Sequence, residues 1–171
     1  SKSDPVFGCV YKLAAVENEN GTIIPKIKVS ENTAKITNPH FKRVYRLFDN
    51  ESGKALADEL CIHDERISED CPHTIFDPET TWKTKTLTNF TAKELLVPVF
   101  RGGTCVYEIP PLNAVKAYCA EQVESLWDEV KRFENPHKYY VDLSRRLWDV
   151  KHALLEKNKQ GKPCLLYTSP S

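Results

Sequence analysis

Four residues have the side chains of a metal site: Cys61, His63, Cys71 and His73 form two Cys-x-His pairs. On an extended strand alternate side chains share a face, so each pair would present a thiol and an imidazole together, a donor set that suits zinc. Structural zinc pairs usually sit in knuckles with two or more intervening residues, and both pairs here border an acidic stretch. The expectation is therefore free thiols, surface imidazoles and no metal. That stretch carries Asp58, Glu59, Asp64, Glu65, Glu69, Asp70, Asp77 and Glu79. They are oxygen donors of the kind calcium prefers, but their spacing matches no calcium loop, so a solvated acidic face is expected.

Basic residues gather at Lys26, Lys28, Lys35, Lys42, Arg43 and Arg46, interleaved with Ile27, Phe41 and Tyr45. A strand face built this way could offer several cations to a phosphate. No glycine-rich phosphate loop accompanies them, and the competing reading is the solvent side of a sheet. Trp127 and Trp148 fall at helical spacing and read as packing anchors rather than a ligand box. No Ser-His-Asp, Cys-His or paired-carboxylate arrangement stands out, so the residues by themselves supply no catalytic set.

The elements that would position these residues divide the chain in two. Strand formers run from Phe7 to Val16, a turn follows at ENENGT, and a second strand is expected over Ile24 to Val29. Val44 to Phe48 and Leu56 to Ile62 flank the turn Asp49-Asn50-Glu51-Ser52-Gly53, a second hairpin. The segment from His63 to Thr81 reads as an irregular surface loop with a brief strand, and strand character returns over Trp82 to Leu87. Leu95 to Phe100 and Cys105 to Ile109 bracket Gly102-Gly103, the clearest hairpin signal in the chain.

Beyond it the period changes. Leu112, Val115, Cys119, Val123, Leu126, Val130 and Phe133 recur at helical steps, which predicts one helix with a buried face, opened by Pro110-Pro111 and closed by Asn135-Pro136. A second helix carries Leu143, Leu147, Val150 and Leu154 on one stripe, with Ser144 placed to cap it, and the two helices are expected to pack antiparallel. The fold class is α+β: a β-rich sheet and hairpin portion over residues 17–109 behind an initial strand at 1–16, then a helical hairpin over 110–160. Residues 161–171 form a tail, and CLLYTSPS from Cys164 onward resembles translated sequencing-adaptor read-through, outside fold reasoning.

Composition limits the function classes. At 171 residues, with 40% apolar and 28% charged residues, the chain can build its own core. Basic and acidic residues balance at 24 each, so there is no global field to draw it onto nucleic acid or an anionic membrane. No apolar run approaches the length of a membrane span. Six cysteines without a CxxC read as reduced cytoplasmic thiols, and the absence of Met suits a fragment of a longer chain.

Three stretches carry a family resemblance: DPVFGCVYKLAAV at 4–16, PKIKVSENTAKITNPHFKRVYRLFD at 25–49 and TIFDPETTWKTKTLTNFTAKELLVPVF at 74–100. They look like the carboxy-terminal third of bacterial nicotinate phosphoribosyltransferases, and VESLWDEVKRFENPHKYYVDLSRRLWDVKHALL at 123–155 is similar too. The resemblance implies a cytoplasmic homodimer joining nicotinate to phosphoribosyl pyrophosphate, with ATP and Mg2+, through a phosphohistidine, on an incomplete α/β barrel beside a sandwich domain.

It also implies that the catalytic residues lie upstream. Only Ser1, Lys2 and Ser3 would remain of the neighbourhood of the phosphate-binding turn, and His40, His63, His73, His137 and His152 match none of the family's motifs. Lys26, Lys28 and Lys35 are the residues expected nearest the substrate, and the chain alone is expected to be inactive. Two other readings stay open: a non-catalytic assembly or phosphate-partner module, and a sister enzyme acting on nicotinamide or quinolinate. Without a barrel beside it, an apolar flank is expected to lie bare on the Phe7 to Val16 strand.

Overall fold

The computed structural model describes residue 8 and residues 10–160. Ser1, Lys2, Ser3 and the tail at 161–171 lie outside the described residues. The chain forms two compact units, one of residues 1–41 with 147–171 and one of Lys42–Arg146.

In the first unit, β1 (Ala15–Glu17) and β2 (Ile23–Pro25) form an antiparallel hairpin. The hairpin turn contains Gly21 at φ 76°, a left-handed conformation that suits glycine. Asn18 ties the turn, its Oδ1 accepting from the Thr22 amide at 2.8 Å. Both strands are much shorter than expected: residues 10–14 are not a strand, and Lys26 and Lys28 lie beyond β2. A 3-10 turn covers Thr33–Lys35. Within this unit Lys151 Nζ donates to Asn38 Oδ1 at 2.8 Å.

The second unit is built on a four-stranded sheet. The hairpin of β3 (Lys42–Asp49) and β4 (Ala55–Ile62) forms as its alternating pattern predicts. Its turn is tied by Asp49 Oδ2, which accepts from the Ser52 amide at 2.9 Å, and Gly53 takes φ 67°. β5 (His73–Phe76) and β6 (Thr84–Leu87) pair as a separate hairpin. β7 (Phe90–Glu94) pairs antiparallel with β3 at the sheet edge, a strand that sequence patterning had left unassigned. Its edge is blunted where Glu69 Oε1 accepts from the Ala92 amide at 2.6 Å.

β8 (Phe100–Arg101) and β9 (Thr104–Cys105) make the expected glycine-turn hairpin, with Gly102 at φ 54° and Gly103 at φ 79°. Two consecutive positive φ angles match the right-handed twist of paired strands, the reason paired glycines signal this turn. The core lies on one sheet face, where Tyr45, Leu47, Ala57, Cys61 and Phe90 meet Ile75 and Leu87 of the β5–β6 hairpin.

The helical hairpin expected over 110–160 is not what forms. α1 (Leu112–Glu124) stops early, α2 (Asp128–Lys131) is one turn, and β10 (Val141–Leu143) joins the sheet parallel to β4 before α3 (Arg145–Gln160) begins. The single helix breaks because the Ser125 carbonyl accepts from the Ala55 amide at 2.8 Å and Lys54 Nζ reaches the Glu124 carbonyl at 2.7 Å. These bonds hold the end of α1 at the β3–β4 turn, and Trp127 is extended at ψ 147°. A backbone committed to the sheet cannot also continue an i to i−4 ladder. No residue of α1 is buried, so its apolar stripe does not pack inside this chain as expected.

Candidate functional site

The sheet carries buried charge on both faces. On the face opposite the core, Arg46 of β3 grips Asp58 of β4 through two parallel bonds, Nε to Oδ1 at 2.8 Å and a terminal nitrogen to Oδ2 at 2.9 Å. The two residues are cross-strand partners in register, so their side chains leave the sheet side by side. Tyr139 donates its hydroxyl to Asp58 Oδ1 at 2.9 Å, and Arg46 also donates to Gln122 Oε1 of α1 at 3.0 Å. Hydrogen bonding to Asp58 holds the guanidinium firmly charged, while burial beside that carboxylate keeps the Tyr139 phenol protonated well above its ordinary range. The network joins two strands, α1 and the segment before β10.

On the core-side face Glu59 and Asp142 are cross-strand partners between β4 and β10, each only 3% exposed. Glu59 Oε2 lies 2.5 Å from His73 Nε2 on β5. That bond raises the imidazole pKa against the opposing effect of burial. Asp142 is pushed up to about 6, first by burial and then by the like charges of Asp77 and Glu59, with Lys138 opposing. A carboxyl at such a value exchanges its proton near neutral pH.

Asp142 sits in the wall of a cleft of about 720 Å³ bounded by the β5–β6 hairpin and the 127–140 segment. Phe76, Trp127, Tyr139 and Tyr140 supply aromatic surface there, and Lys83, Lys85 and Lys138 supply cations. The cleft could take up a proton or seat an aromatic group. It holds no nucleophile set against a base.

The acidic residues were expected on a solvated face, yet Asp58 and Glu59 are buried and paired. The missed signal is their position: both lie in the middle of ALADELCI, where apolar neighbours on each side mark a central strand. Asp64 does face solvent and pairs with Arg146 at 3.1 Å. Cys61 is a core residue whose thiol is raised by burial, Cys71 is exposed, and His73 is committed to Glu59. Among the described residues no three His, Cys, Asp or Glu side chains converge to hold a metal ion.

The basic set is divided between the two units. Lys26, Lys28 and Lys35 are exposed residues of the first unit, while Lys42, Arg43 and Arg46 belong to the second. Lys28 is held through its backbone, its amide donating to Thr37 Oγ1 at 3.2 Å, and the Lys35 carbonyl accepts from Lys12 Nζ at 3.0 Å. Arg43 and Arg46 lie three positions apart on β3 and so leave opposite faces of the sheet. Arg43 is spent on Glu94, 2.5 Å away, and on the His63 carbonyl at 2.6 Å. Both arginines are thus paired with carboxylates of the same sheet.

Comparison with known proteins adds what the geometry does not. The chain is 35% identical over 155 residues to nicotinate phosphoribosyltransferase of Bacillus subtilis (strain 168), covering 91% of this chain and 31% of that protein. It is 32% identical to the enzyme of the same name from Dictyostelium discoideum, covering 90% of this chain and 26% of the relative. The crystal structure of human nicotinic acid phosphoribosyltransferase matches 70% of this chain and 24% of its own at a TM-score of 0.63, with 24% identity, a likeness of fold. The chain therefore spans less than a third of the length of these relatives. Residues 41–151, most of the described chain and all of the sheet, match the family model for the nicotinate phosphoribosyltransferase C-terminal domain, and the chain belongs to that family.

Proposed function

We propose that the whole protein carrying this chain is a nicotinate phosphoribosyltransferase, which joins nicotinate to phosphoribosyl pyrophosphate, with ATP hydrolysis, to give nicotinate mononucleotide in NAD salvage. The family match over residues 41–151 carries this reading. In it the enzyme is a cytoplasmic homodimer and this portion supports chemistry performed elsewhere on the polypeptide. Phosphoribosyl transfer needs charge stabilisation of departing pyrophosphate in a site shielded from water. Arg43 and Arg46 of the sheet are paired with its carboxylates Glu94 and Asp58, which favours a bracing role over a catalytic one. ATP and Mg2+ would supply the coupling and the phosphate neutralisation at the upstream site.

Assaying the whole protein with nicotinate, nicotinamide and quinolinate tests the reading. Turnover of nicotinate is expected, and preference for either other pyridine would overturn it. The chain alone is expected to turn over none of the three.

Lys26, Lys28 and Lys35, exposed and outside any strand, are the proposed substrate-adjacent residues, together with Ser1, Lys2 and Ser3. If an ammonium group helps to hold phosphoribosyl pyrophosphate, Lys28→Ala or Lys35→Ala in the whole protein raises its KM by about tenfold, the loss of one charge-assisted contact. An unchanged KM for both variants would remove the lysines from the substrate path.

A further inference from the structure

Asp58, Glu59, Asp142 and Ser144 are the buried polar side chains among the described residues, and all but Asp142 are hydrogen-bonded. Asp58 accepts from Arg46 and Tyr139, Glu59 meets His73, and Ser144 donates to Glu65 Oε2 at 2.7 Å. No described residue donates a hydrogen bond to the Asp142 carboxyl, on which Lys138 acts only through its charge. A buried carboxyl left without a donor works against folding, so its place in the wall of the cleft calls for a partner from outside.

The rest of the cleft defines the chemistry of that partner. Its volume of about 720 Å³ falls in the range of small-ligand sites, and its whole lining belongs to the second unit. Trp127 and Tyr140 are 40% and 49% exposed, so aromatic surface is open to a ring. Around Asp142 the field is negative, since Asp77 and Glu59 both oppose its ionisation. Lys83 and Lys85, exposed and two positions apart at the start of β6, place their ammonium groups on one face of the strand. A simple cation would answer the carboxylate but meet two lysines of its own sign, and a simple anion would be repelled from Asp142. The ligand that suits both is flat, donates hydrogen bonds at one edge and carries negative charge away from that edge.

We propose that the cleft is a binding site for a purine mononucleotide whose ring carries two adjacent N–H donors, as guanine does. The ring lies against Trp127 and Tyr140, the paired N–H groups meet the two oxygens of Asp142, and the phosphate meets Lys83 and Lys85. Adenine is the poorer match, because it offers one exocyclic amine beside a ring acceptor that a carboxylate repels. The proposal is independent of the reading of the whole protein as a phosphoribosyltransferase.

Calorimetric titration of the whole protein with GMP at about pH 7.5, where Asp142 is ionised, tests it. GMP should bind, and AMP should bind about tenfold more weakly or worse, the discrimination of one bidentate contact. Asp142→Asn should weaken GMP about tenfold or more and tighten xanthosine monophosphate, whose carbonyl replaces the guanine amine and accepts from the amide. Asn removes a charge that burial opposes, so this variant folds at least as firmly as the parent and its loss of GMP is not a loss of structure. Lys83→Ala combined with Lys85→Ala should bring GMP down to the affinity of guanosine and leave guanosine unchanged. No binding of GMP by the parent protein would overturn the proposal. Equal binding by the parent and either variant would do the same, because the nucleotide would then sit elsewhere.

Discussion

Replacing Asp58 by Ala should destabilise the sheet by about 3 kcal/mol or more, because removing one partner of a buried pair strands the other. Arg46 would lose both bonds of its fork and Tyr139 its acceptor, on side chains 18% and 13% exposed in the Arg46–Asp58 pair. The loss should appear in urea titrations of the whole protein as an earlier unfolding transition of this domain. A second variant separates the cost of stranding from the worth of the pair. Arg46→Met combined with Asp58→Leu and Tyr139→Phe keeps volume and removes both charges and the hydroxyl that Asp58 accepts from, so it should lie within about 1 kcal/mol of Tyr139→Phe alone. A loss below about 1 kcal/mol for Asp58→Ala alone would mean that solvent reaches the guanidinium and that the network does not brace the sheet.

Asp142→Asn should stabilise the domain at neutral pH and do nothing in acid. The carboxyl is pushed from its ordinary 3.8 up to about 6 by burial and by Asp77 and Glu59, so the native chain binds its proton more tightly than the unfolded chain. Stability therefore falls as pH rises from about 4 to about 6, and the penalty is complete above that window. The shift corresponds to about 3 kcal/mol at neutral pH, which Asn would recover.

His73 acts with the same sign over a later window. Its pKa is raised by Glu59, so its contribution is complete below the ordinary histidine value of 6.5 and is lost as pH climbs through the raised one. The variant should keep that second decline and lose the first. Asp64 and Asp77 are lowered, by Arg146 and by backbone amides respectively, and their contribution is lost as pH falls. Those terms are shared by variant and parent in the acid limb. Unfolding curves for the two proteins at about pH 4 and about pH 7.5 check the prediction. Equal differences at both pH values would show that Asp142 is ionised in the native state without cost.

How much of this was legible beforehand depended on whether the deciding force was local. The β3–β4 hairpin was readable because alternation and a Gly53 turn act within twenty residues, and the Gly102-Gly103 turn because positive φ is a local demand. β7 and β10 were not readable. Phe90–Glu94 is mostly polar, and Val141–Leu143 is too short to show a period, so each becomes a strand only because a neighbouring edge offers its hydrogen bonds. The same holds for the break in α1. Its periodicity continues to Phe133, and the Ala55 amide that captures the Ser125 carbonyl is some seventy residues away in sequence.

The candidate site divides along the same line. Residue order by itself determined the α+β class and the family resemblance, since composition, alternation and short signatures are properties of neighbours along the chain. Only the tertiary structure decided that Asp58 and Glu59 are internal, that Arg43 and Arg46 are neutralised on opposite faces, and that the α1 stripe stays bare. Burial and charge pairing are set by which strands lie side by side, and a carboxylate carries no mark of whether its neighbour across the sheet will be water or a guanidinium.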